Sequence, residues 1–505
     1  MGTWSRAPHA LGWSACEAAH GPRHQGSSVD ARERAAARLV ELAPLVGDLG
    51  QRFAAAGHEL ALVGGSVRDA FLGRDSHDLD LTTDARPEQI LALVEGWADA
   101  VWDVGAAFGT IGAQRGDTRF EITTYRSDAY SPDSRKPEVR FGDSLEGDLR
   151  RRDFTVNAMA VRLPSMELVD PTGGLDDLEA GILRTPSPPD VSFTDDPLRM
   201  MRLARFVSTL GFTPDAGAVQ AAKALADRIE IVSAERVRDE LVALIMGRYP
   251  RAGIELLVRT GLADRVLPEV PALALEIDEH HRHKDVYEHS LTVLDQAIAL
   301  ESSHAPASDP DFVLRFAALM HDVGKPKTRR YAEGGGVTFH HHEVVGAKLV
   351  AKRMAALRFS RETTDEVSRL VELHLRFHGY GSGEWTDSAV RRYVRDAGDQ
   401  LTRLHKLTRA DSTTRNRRKA AALQTSYDSL ERRIEELAGQ EELAAMRPAL
   451  DGNQIMQILG LPPGPEVGRA YRFLLEERLE RGEMSEDEAR DVLLAWARDE
   501  GLAPG

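Results

Sequence analysis

Between residues 60 and 83, apolar runs alternate with glycine and polar residues in a pattern that predicts strand, turn, helix and strand. Residues 60–63 form a short apolar run typical of a buried strand, and the two glycines that follow permit a turn that residues with a Cβ resist. Residues 66–72 predict a helix, whose first amide groups can point at an anion. In the second strand, residues 78–81 alternate Asp-Leu-Asp-Leu, so we expect the leucines to face the core and the aspartates to face the opposite side.

Asp78 and Asp80 are therefore expected to lie side by side on one face of a strand. Two neighbouring carboxylates repel each other unless a cation joins them, and hard Mg²⁺ with oxygen ligands is the usual partner. An anion-binding turn beside a magnesium site suggests nucleotide transfer from a triphosphate. Taken singly, a Gly-Gly pair or an Asp-x-Asp pair also fits an ordinary turn or solvated strand edge.

Further strands and a loop are predicted after this segment. Residues 106–114 and 118–125 alternate well enough to pair as a hairpin around 115–117, with Glu121 on the second strand. Residues 126–142 are polar, contain two prolines and predict a mobile loop. Helical patterns cover 30–56, 87–98, the stretch after Pro197, the stretch after Ser233, a long segment ending at Gly439, and two segments within 448–505 separated by 461–465.

The order of these motifs carries a family resemblance. The glycine pair, Arg68, Asp69 and the two aspartates resemble the first signature of the nucleotidyltransferase superfamily. More narrowly, they resemble the branch that contains class II CCA-adding tRNA nucleotidyltransferases and bacterial poly(A) polymerases. Residues 148–160, Asp-Leu-Arg-Arg-Arg-Asp-Phe-Thr-Val-Asn-Ala-Met-Ala, resemble the second signature. The resemblance implies an α+β fold, with a nucleotidyltransferase head on a mixed or antiparallel sheet, then an all-α neck, an HD domain and a helical C-terminal body.

The resemblance also implies roles for individual residues. Asp78 and Asp80 would hold Mg²⁺, and Glu121 would complete the carboxylate site, although an ordinary exposed strand glutamate fits that position equally well. The implied nucleotide-binding residues are Gly65, Arg68 and Arg152 for the triphosphate, Asp196 and Arg199 for the base edge of CTP or ATP, and Arg202 and Arg205 for support of the nucleotide. Asp195 departs from the family, which usually has glutamate there. Ser233 is expected to cap a helix, with Arg236 and Glu240 as structural partners.

Histidine is concentrated in one part of the chain. Eleven of the 17 histidines lie between residues 280 and 378. The order His289, His321-Asp322 and Asp411 resembles the HD family of metal-dependent phosphohydrolases, and His342 and His374 occupy places where two-metal members add ligands. Imidazole with carboxylate suits a divalent transition metal better than Mg²⁺. Gly324 is expected to end the helix that precedes it. His340 and His341, which directly precede His342, are expected to be exposed to solvent.

Charge limits where RNA can bind. With 64 basic and 80 acidic residues the net charge is −16, which argues against a general nucleic-acid coat and requires a local basic patch. The densest basic stretch contains Arg403, Lys406, Arg409, Arg415, Arg417, Arg418 and Lys419, of which the last four are the predicted RNA-binding residues. A solvated helix face fits the same pattern. Residues after 448 resemble the family's C-terminal body, which grips tRNA.

Composition bears on membrane association and on the cellular compartment. No apolar run approaches 18 residues, which predicts no membrane segment, and no protein partner is indicated. Residues 1–30 lack periodicity and predict a disordered tail containing Cys16, the single cysteine, so a reducing cytoplasm is expected. The predicted domains are the tail at 1–30, the catalytic head at 31–175, the neck at 176–275, the HD domain at 276–415 and the C-terminal RNA-binding body at 416–505.

These expectations converge on template-independent addition of CCA to tRNA 3′ ends from CTP and ATP, with Mg²⁺ in the transferase site and phosphohydrolase activity in the HD domain. A poly(A) polymerase would share the head. An enzyme that is primarily an HD phosphohydrolase fits the histidine and aspartate pattern, and a non-catalytic tRNA-binding module fits the basic stretch. Such a binding module would not need the aspartate pair.

Overall fold

The computed structural model describes residues 44, 46–74, 78–103, 105–129, 138–142, 144–274, 286–332, 336–377, 385–413, 416–440 and 447–502. The chain divides into two compact units, residues 1–129 with 139–180 and residues 130–138 with 181–505. The predicted tail, Cys16 and Arg415 lie outside the described residues. The finer domain boundaries expected from the sequence stay predictions.

The first unit is built on one mixed sheet. Its strands are β1 (Leu60–Val63), β2 (Asp78–Thr83), β3 (Ala100–Trp102), β4 (Thr110–Arg115), β5 (Thr118–Thr124), β8 (Ala160–Leu163) and β9 (Glu167–Val169). They lie in the order β3-β4-β5-β2-β1-β8-β9. Among the described pairings of this sheet, only the β2–β5 pair is parallel. The predicted α+β class with a mixed sheet is confirmed.

Short helices flank this sheet. They are a helical segment at residues 46–55, α1 (Gly65–Phe71), α2 (Pro87–Val94), α3 (Leu145–Arg150) and α4 (Gly174–Ala180), with 3₁₀ turns at Ala106–Phe108 and Thr155–Asn157. Helix α2 ends earlier than predicted, because the backbone leaves the helical conformation at Glu95, which has a ψ of 130°, and Gly96 follows with a φ of +68°. Strand β4 begins later than predicted for a related reason, since Gly109 has a φ of +81°.

The prediction of a loop over residues 126–142 is wrong at both ends. Strands β6 (Arg126–Ala129) and β7 (Glu138–Phe141) pair as a separate two-stranded ribbon. The loop prediction followed from the polar residues and the two prolines. It neglected the apolar alternation of Val139 and Phe141, a pattern that favours a strand. Residues 130–137, in the middle of the predicted loop, lie outside the described residues.

The second unit is almost entirely helical. Its helices are α5 (Pro189–Asp195), α6 (Leu198–Leu210), α7 (Ala216–Ala224), α8 (Ala234–Ile245), α9 (Pro250–Thr260), α10 (Leu262–Val266), α11 (Val286–Ser303), α12 (Phe312–Met320), α13 (Lys325–Thr328), α14 (His342–Ala356), α15 (Arg361–Leu373), α16 (Asp387–Ala397), α17 (Leu401–Asp411), α18 (Arg417–Gln440), α19 (Gly452–Leu459), α20 (Pro465–Arg481) and α21 (Glu486–Asp499). The minor elements are β10 (Ile182–Leu183) with β11 (Thr213–Pro214), β12 (Arg330–Ala332) with β13 (Gly336–Thr338), and 3₁₀ turns at Ala226–Ile231, Pro271–Leu273 and Gly398–Gln400. None of the helices in the described ranges is both long enough and apolar enough to span a bilayer.

The C-terminal segment contains three helices, so the prediction of two is wrong. Helix α20 ends at Arg481, directly before Gly482, and a new helix begins where the Ser485 hydroxyl accepts a hydrogen bond from the Glu488 amide. The Glu488 carboxylate accepts one from the Ser485 amide in return, which completes a capping box. This local signal was present in the sequence and separates α20 from α21.

Candidate active site and metal centre

Three carboxylates share one face of the sheet, which we call the carboxylate face (Asp78, Asp80 and Glu121). Along β2 the aspartates are exposed and the intervening leucines buried, as the alternation predicted. Parallel pairing with β5 sets Asp80 opposite Glu121. Neighbouring strands are about 4.8 Å apart, so these two side chains lie beside each other on the same face. This placement is the one that the carboxylate prediction for Glu121 requires.

The glycine turn lies directly beside this face. Gly64 has a φ of +69°, and a Cβ built on it would lie 2.9 Å from Arg152 Nη1 and 3.9 Å from Asp80 Oδ2. The guanidinium and the carboxylate therefore converge at a backbone position without a side chain. The buried Ser66 hydroxyl ties the turn to β2 by accepting a hydrogen bond from the Asp80 amide at 3.0 Å. Nothing in the sequence pattern pointed to this role of Ser66.

Arg152 is held by a carboxylate that the sequence reasoning did not single out. Asp148, on α3, is 1% exposed and accepts from Arg152 Nη2 at 3.2 Å and from Arg151 Nη2 at 2.7 Å. Burial by itself raises the pKa of the Asp148 carboxyl, but the two guanidinium groups outweigh burial and hold the pKa below 3.8. Spacings of three and four residues on a helix are the signal that would have found this pairing.

Arg68 is fixed on its other side by the second signature. Its Nη1 donates to Asn157 Oδ1 at 2.7 Å, and its Nη2 donates to Asp69 Oδ2 at 2.8 Å. The Asn157 amide in turn donates to Asp153 Oδ1 at 3.1 Å. Asp153 and Asn157 therefore hold the local structure around the Arg68 guanidinium. The first unit thus brings together Asp78, Asp80, Glu121, Gly65, Arg68 and Arg152.

The turn offers a matched test of its glycine. We expect Gly64→Ala to lower nucleotide incorporation at least tenfold, because the new methyl group displaces Arg152 from the position beside Asp80. The backbone strain alone costs about 1–2 kcal/mol. Gly57→Ala is the control, since Gly57 has a φ of +79° but nothing within 4 Å of a built Cβ. Thermal unfolding and initial rates should show equal destabilisation of both variants but lost activity only in Gly64→Ala; equal activities would contradict the crowding argument.

The predicted base-reading residues lie at the start of α6 in the second unit. Asp196 precedes the helix, and its carboxylate accepts from the Leu198 amide at 3.1 Å and from Arg236 Nη2 at 3.3 Å. Arg199 is buried and donates to the Ser192 hydroxyl at 2.8 Å. Arg205 pairs with Glu240 at 2.7 Å. Arg199 is thus buried and Arg202 and Arg205 are half-buried. Arg236 and Glu240 are structural partners, as expected.

Six side chains from five helices and their ends converge in the HD segment, and we call them the six-residue cluster. They form two groups with ligand atoms within 4.8 Å of one another, namely His289, His321 and Asp411, and Asp322, His342 and His374. Asp322 lies between the groups. Its Oδ2 is 3.2 Å from His321 Nε2, and its Oδ1 is 3.2 Å from His342 Nε2. All six residues predicted from the sequence are therefore brought together.

The cluster histidines are oriented as metal ligands are. The Nδ1 atoms of His321, His342 and His374 each lie within 2.6–2.8 Å of a backbone carbonyl, which leaves Nε2 to face the cluster. Across the described chain, nothing hydrogen-bonds to these three buried Nε2 atoms. Buried nitrogens aimed at carboxylates fit a bound cation. His341, the predicted loop histidine, has 84% of its side chain exposed.

The charges of the cluster are strongly coupled. Burial opposes ionisation of both Asp322 and Asp411, but contact with histidine outweighs burial and holds each pKa well below 3.8. Burial also lowers the pKa of His374 to about 3, so this imidazole is neutral at pH 7. At His321 burial also lowers the pKa, but contact with Asp322 and Asp411 outweighs burial and raises the pKa of this imidazole to about 10. Carboxylates together with imidazoles are the donor set that a divalent transition metal prefers.

Gly324 is not the helix stop that the sequence predicted. Helix α12 ends at Met320, and Gly324 has a right-handed φ of −77°. A Cβ on Gly324 would lie 2.0 Å from the His342 carbonyl oxygen. The glycine is needed because the backbone of the His321-Asp322 turn packs directly against the start of α14.

Part of the predicted basic stretch does not lie on the protein surface. Arg403 pairs with Asp311 and Glu366, and Arg409 pairs with Asp428 and Glu431. Lys406 is 1% exposed and donates to three oxygen atoms. These cations stabilise packing because α17 is a core helix, a fact that charge counting cannot reveal. Arg418 and Lys419 are exposed on the first turn of α18, which Arg417 begins.

Comparison with known proteins matches this organisation. Residues 60–184 match the poly A polymerase head domain, residues 211–273 the probable RNA and SrmB-binding site of polymerase A, and residues 286–416 the HD domain. The A-adding tRNA nucleotidyltransferase of Deinococcus radiodurans is 35% identical over 454 residues, which cover 87% of this chain and 96% of that enzyme. The CCA-adding enzyme of Geobacillus thermodenitrificans is 40% identical over 208 residues, 41% of this chain and 50% of that enzyme.

Solved structures share the fold. A Bacillus stearothermophilus CCA-adding enzyme in complex with CTP superposes with a TM-score of 0.64 at 24% identity, covering 91% of this chain and 98% of that one. A Thermotoga maritima CCA-adding enzyme complexed with tRNA gives a TM-score of 0.56 at 18% identity, covering 92% and 97%. Because the match to the Deinococcus radiodurans enzyme covers nearly its whole length at 35% identity, the chain belongs to the tRNA nucleotidyltransferase family of A-adding and CCA-adding enzymes.

Proposed function

We propose that the chain adds nucleotides to the 3′ end of tRNA, using CTP and ATP and releasing pyrophosphate. The observation that carries this proposal is the convergence of the carboxylate face with Arg152 at Gly64. The RNA 3′-hydroxyl attacks the α-phosphorus, the bond to the β-phosphate bridging oxygen breaks, and the hydroxyl proton is lost to solvent or base. Relatives of known structure are bound to CTP, ATP and tRNA, which supports these substrates.

Each part of the first unit has a role in this reaction. Asp78 and Asp80, with Glu121 beside them, would hold Mg²⁺ by hard oxygen donors. When bound, Mg²⁺ supplies charge neutralisation and lowers the pKa of the attacking hydroxyl. Arg152 and Arg68 are planar donors suited to triphosphate oxygens, and Gly65 keeps the turn open beside Arg68.

In the second unit, base choice would rest on α6. Asp196 and Arg199 are proposed to hydrogen-bond the base edge of CTP or ATP, with Arg202 and Arg205 supporting the nucleotide. Arg199 and Asp196 are held by Ser192 and Arg236, so their polar groups are pre-oriented by the protein. Arg418 and Lys419, with Arg415 and Arg417 next to them in sequence, are proposed to contact the tRNA backbone, and residues 416–505 to form the RNA-binding body.

Two nucleotide specificities must be distinguished. CCA addition is the proposed activity, and addition of A alone is the second candidate because the full-length relative is an A-adding enzyme. The test incubates the full chain with tRNA ending at the discriminator base, or at CC, and with labelled CTP or ATP. Incorporation of CTP onto the shorter tRNA excludes a dedicated poly(A) polymerase; together with incorporation of ATP onto tRNA-CC it supports CCA addition, and without ATP incorporation it supports addition of CC alone. Incorporation of ATP onto tRNA-CC alone supports the second candidate.

We propose a separate hydrolytic activity for the six-residue cluster. Its residues would hold one or two divalent transition-metal ions, which supply an activated water when bound. Water adds to phosphorus, the ester oxygen leaves as a hydroxyl, and inorganic phosphate is released. The proposal is supported by the inward Nε2 atoms and by Asp322, whose two oxygens face the two groups.

A pair of adjacent histidines tests this second activity. We expect Asp322→Ala and His342→Ala to reduce Mn²⁺-stimulated phosphatase activity at least 100-fold, because each removes a ligand atom. His341→Ala, one residue away but exposed, should retain it. Phosphate release from p-nitrophenyl phosphate, with and without chelator, is the measurement. Full activity in Asp322→Ala would contradict the assignment, and unchanged CTP incorporation would show that the protein is folded.

A further inference from the structure

A short basic segment adjoins the six-residue cluster and has no role in the functions above. We call residues 325–331 the basic segment; it reads Lys-Pro-Lys-Thr-Arg-Arg-Tyr. It holds four cations and no acidic residue in a chain whose net charge is −16. The body of the protein therefore repels a polyanion on average, and this segment is a local exception.

Three side chains of the segment are open to solvent, and the other four are partly buried. Lys327 and Arg330 are exposed, and Tyr331 is 74% exposed, an unusual position for so large an aromatic residue. The Arg329 guanidinium lies 5.1 Å from the centre of the Tyr331 ring. In the described ranges, no carboxylate lies within ion-pair distance of Lys327, Arg329 or Arg330. Arg403 and Arg409, by contrast, are each paired with two carboxylates.

The start of the segment contacts the six-residue cluster, and its end is linked to the cluster through the neighbouring strand β13. At the start, Lys325 Nζ lies 2.6 Å from Asp322 Oδ2. The segment then enters β12, which pairs antiparallel with β13 and sets Tyr331 opposite Val337. Strand β13 leads to Phe339, whose carbonyl oxygen lies 2.7 Å from Nδ1 of the ligand His342. Arg330 lies opposite Thr338, which directly precedes Phe339, so a molecule lying on Arg330 would be bound beside the strand that positions His342.

We infer that the basic segment binds single-stranded RNA and presents it to the six-residue cluster, so that the hydrolytic substrate is a phosphorylated polynucleotide end. Exposed cations bind successive phosphodiesters, and an exposed tyrosine flanked by arginine provides a surface on which a base stacks. This inference rests on the proposed hydrolytic function. It adds the class of substrate and the residues that select it.

The test compares two substrates on the full chain with Mn²⁺, a 3′-phosphorylated hexaribonucleotide and p-nitrophenyl phosphate. The triple variant Lys327→Ala/Arg330→Ala/Tyr331→Ala removes exposed side chains only. We expect its kcat/KM for the hexanucleotide to fall at least tenfold, mainly through KM, while hydrolysis of p-nitrophenyl phosphate is unchanged. The slope of log KM against log salt should fall by about 1.4, or about 0.7 for each lost phosphate contact.

A matched control removes two exposed cations from the same helical region. Lys352→Ala/Arg361→Ala changes positions about 15 Å and 20 Å along α14 and α15 from His342 and His374. This variant should keep full activity on both substrates, and an equal loss in both variants would overturn the inference. If the wild type hydrolyses neither substrate, the hydrolytic function itself fails. The segment is then tested by anisotropy of labelled hexaribonucleotide, where equal affinity for wild type and triple variant overturns RNA binding.

Discussion

Replacing Asp80 with alanine is expected to lower CTP and ATP incorporation by at least about 10³-fold, equivalent to about 4 kcal/mol of transition-state stabilisation. The carboxylate lies beside Gly64 and Arg152 on one side and beside Glu121 on the next strand. Its loss removes an oxygen ligand where the triphosphate is proposed to bind. Single-turnover incorporation into tRNA lacking its 3′ end is the measurement.

The same strand pair offers a control for charge alone. Asp117 is an exposed carboxylate in the hairpin turn between β4 and β5, so Asp117→Asn changes net charge without touching the carboxylate face. It should retain normal rates. Glu121→Gln is expected to give an intermediate loss, since Glu121 lies beside Asp80. Wild-type incorporation by Asp80→Ala would disprove the assignment of the site, whereas no incorporation by the wild type itself would leave a tRNA-binding role without catalysis.

The second large effect is expected at Asp148. Asp148→Asn should lower the free energy of unfolding by about 3 kcal/mol, because the buried carboxylate pairs with Arg151 and Arg152 and also accepts from the Arg126 amide. An amide has one acceptor oxygen where these donors need two. Incorporation rates should fall as well, since Arg152 loses the partner that orients it. Denaturant unfolding together with initial rates measures both effects.

The effect of Asp148 depends on pH in a defined direction. Its pKa in the folded protein lies below 3.8, so the carboxylate contributes stability above about pH 4 and loses it as pH falls through the folded-state pKa. The difference in unfolding free energy between wild type and Asp148→Asn should therefore be full at pH 7 and shrink in acid. Glu146→Gln, on the same helix but half-exposed and paired with Arg162, should change stability by less than about 1 kcal/mol at any pH.

Local sequence patterns were sufficient to predict much of the secondary structure of the first unit. The alternation over residues 78–81 predicted which side chains face the core, because the period of a strand is set by its backbone. The paired strands 110–115 and 118–124 followed from the same alternation, and their turn is shorter than expected. The error at residues 126–142 arose because prolines and polar residues masked a short apolar alternation, a signal too weak to decide the matter locally.

The histidine pattern predicted which residues converge, whereas the charge pattern did not predict which residues are exposed. All six histidine and aspartate residues assigned to the HD site converge, since each occupies a position near a helix end in a recognisable order. The basic run failed in part, because exposure cannot be read from composition. Lys406 and Arg409 are buried among oxygen acceptors, whereas Lys327 and Arg330 of the shorter basic segment are exposed.

The sequence by itself determined the family, the order of its motifs and which side chains along β2 face the core, since these depend on residue type and local periodicity. Only the tertiary structure decided which groups meet. The pairing of Asp80 with Glu121 depends on a parallel strand contact across some forty residues, and the approach of Arg152 to Gly64 depends on a turn without a Cβ. Long-range contacts of this kind leave no periodic signal in the chain, because they are set by packing of elements that are distant in sequence.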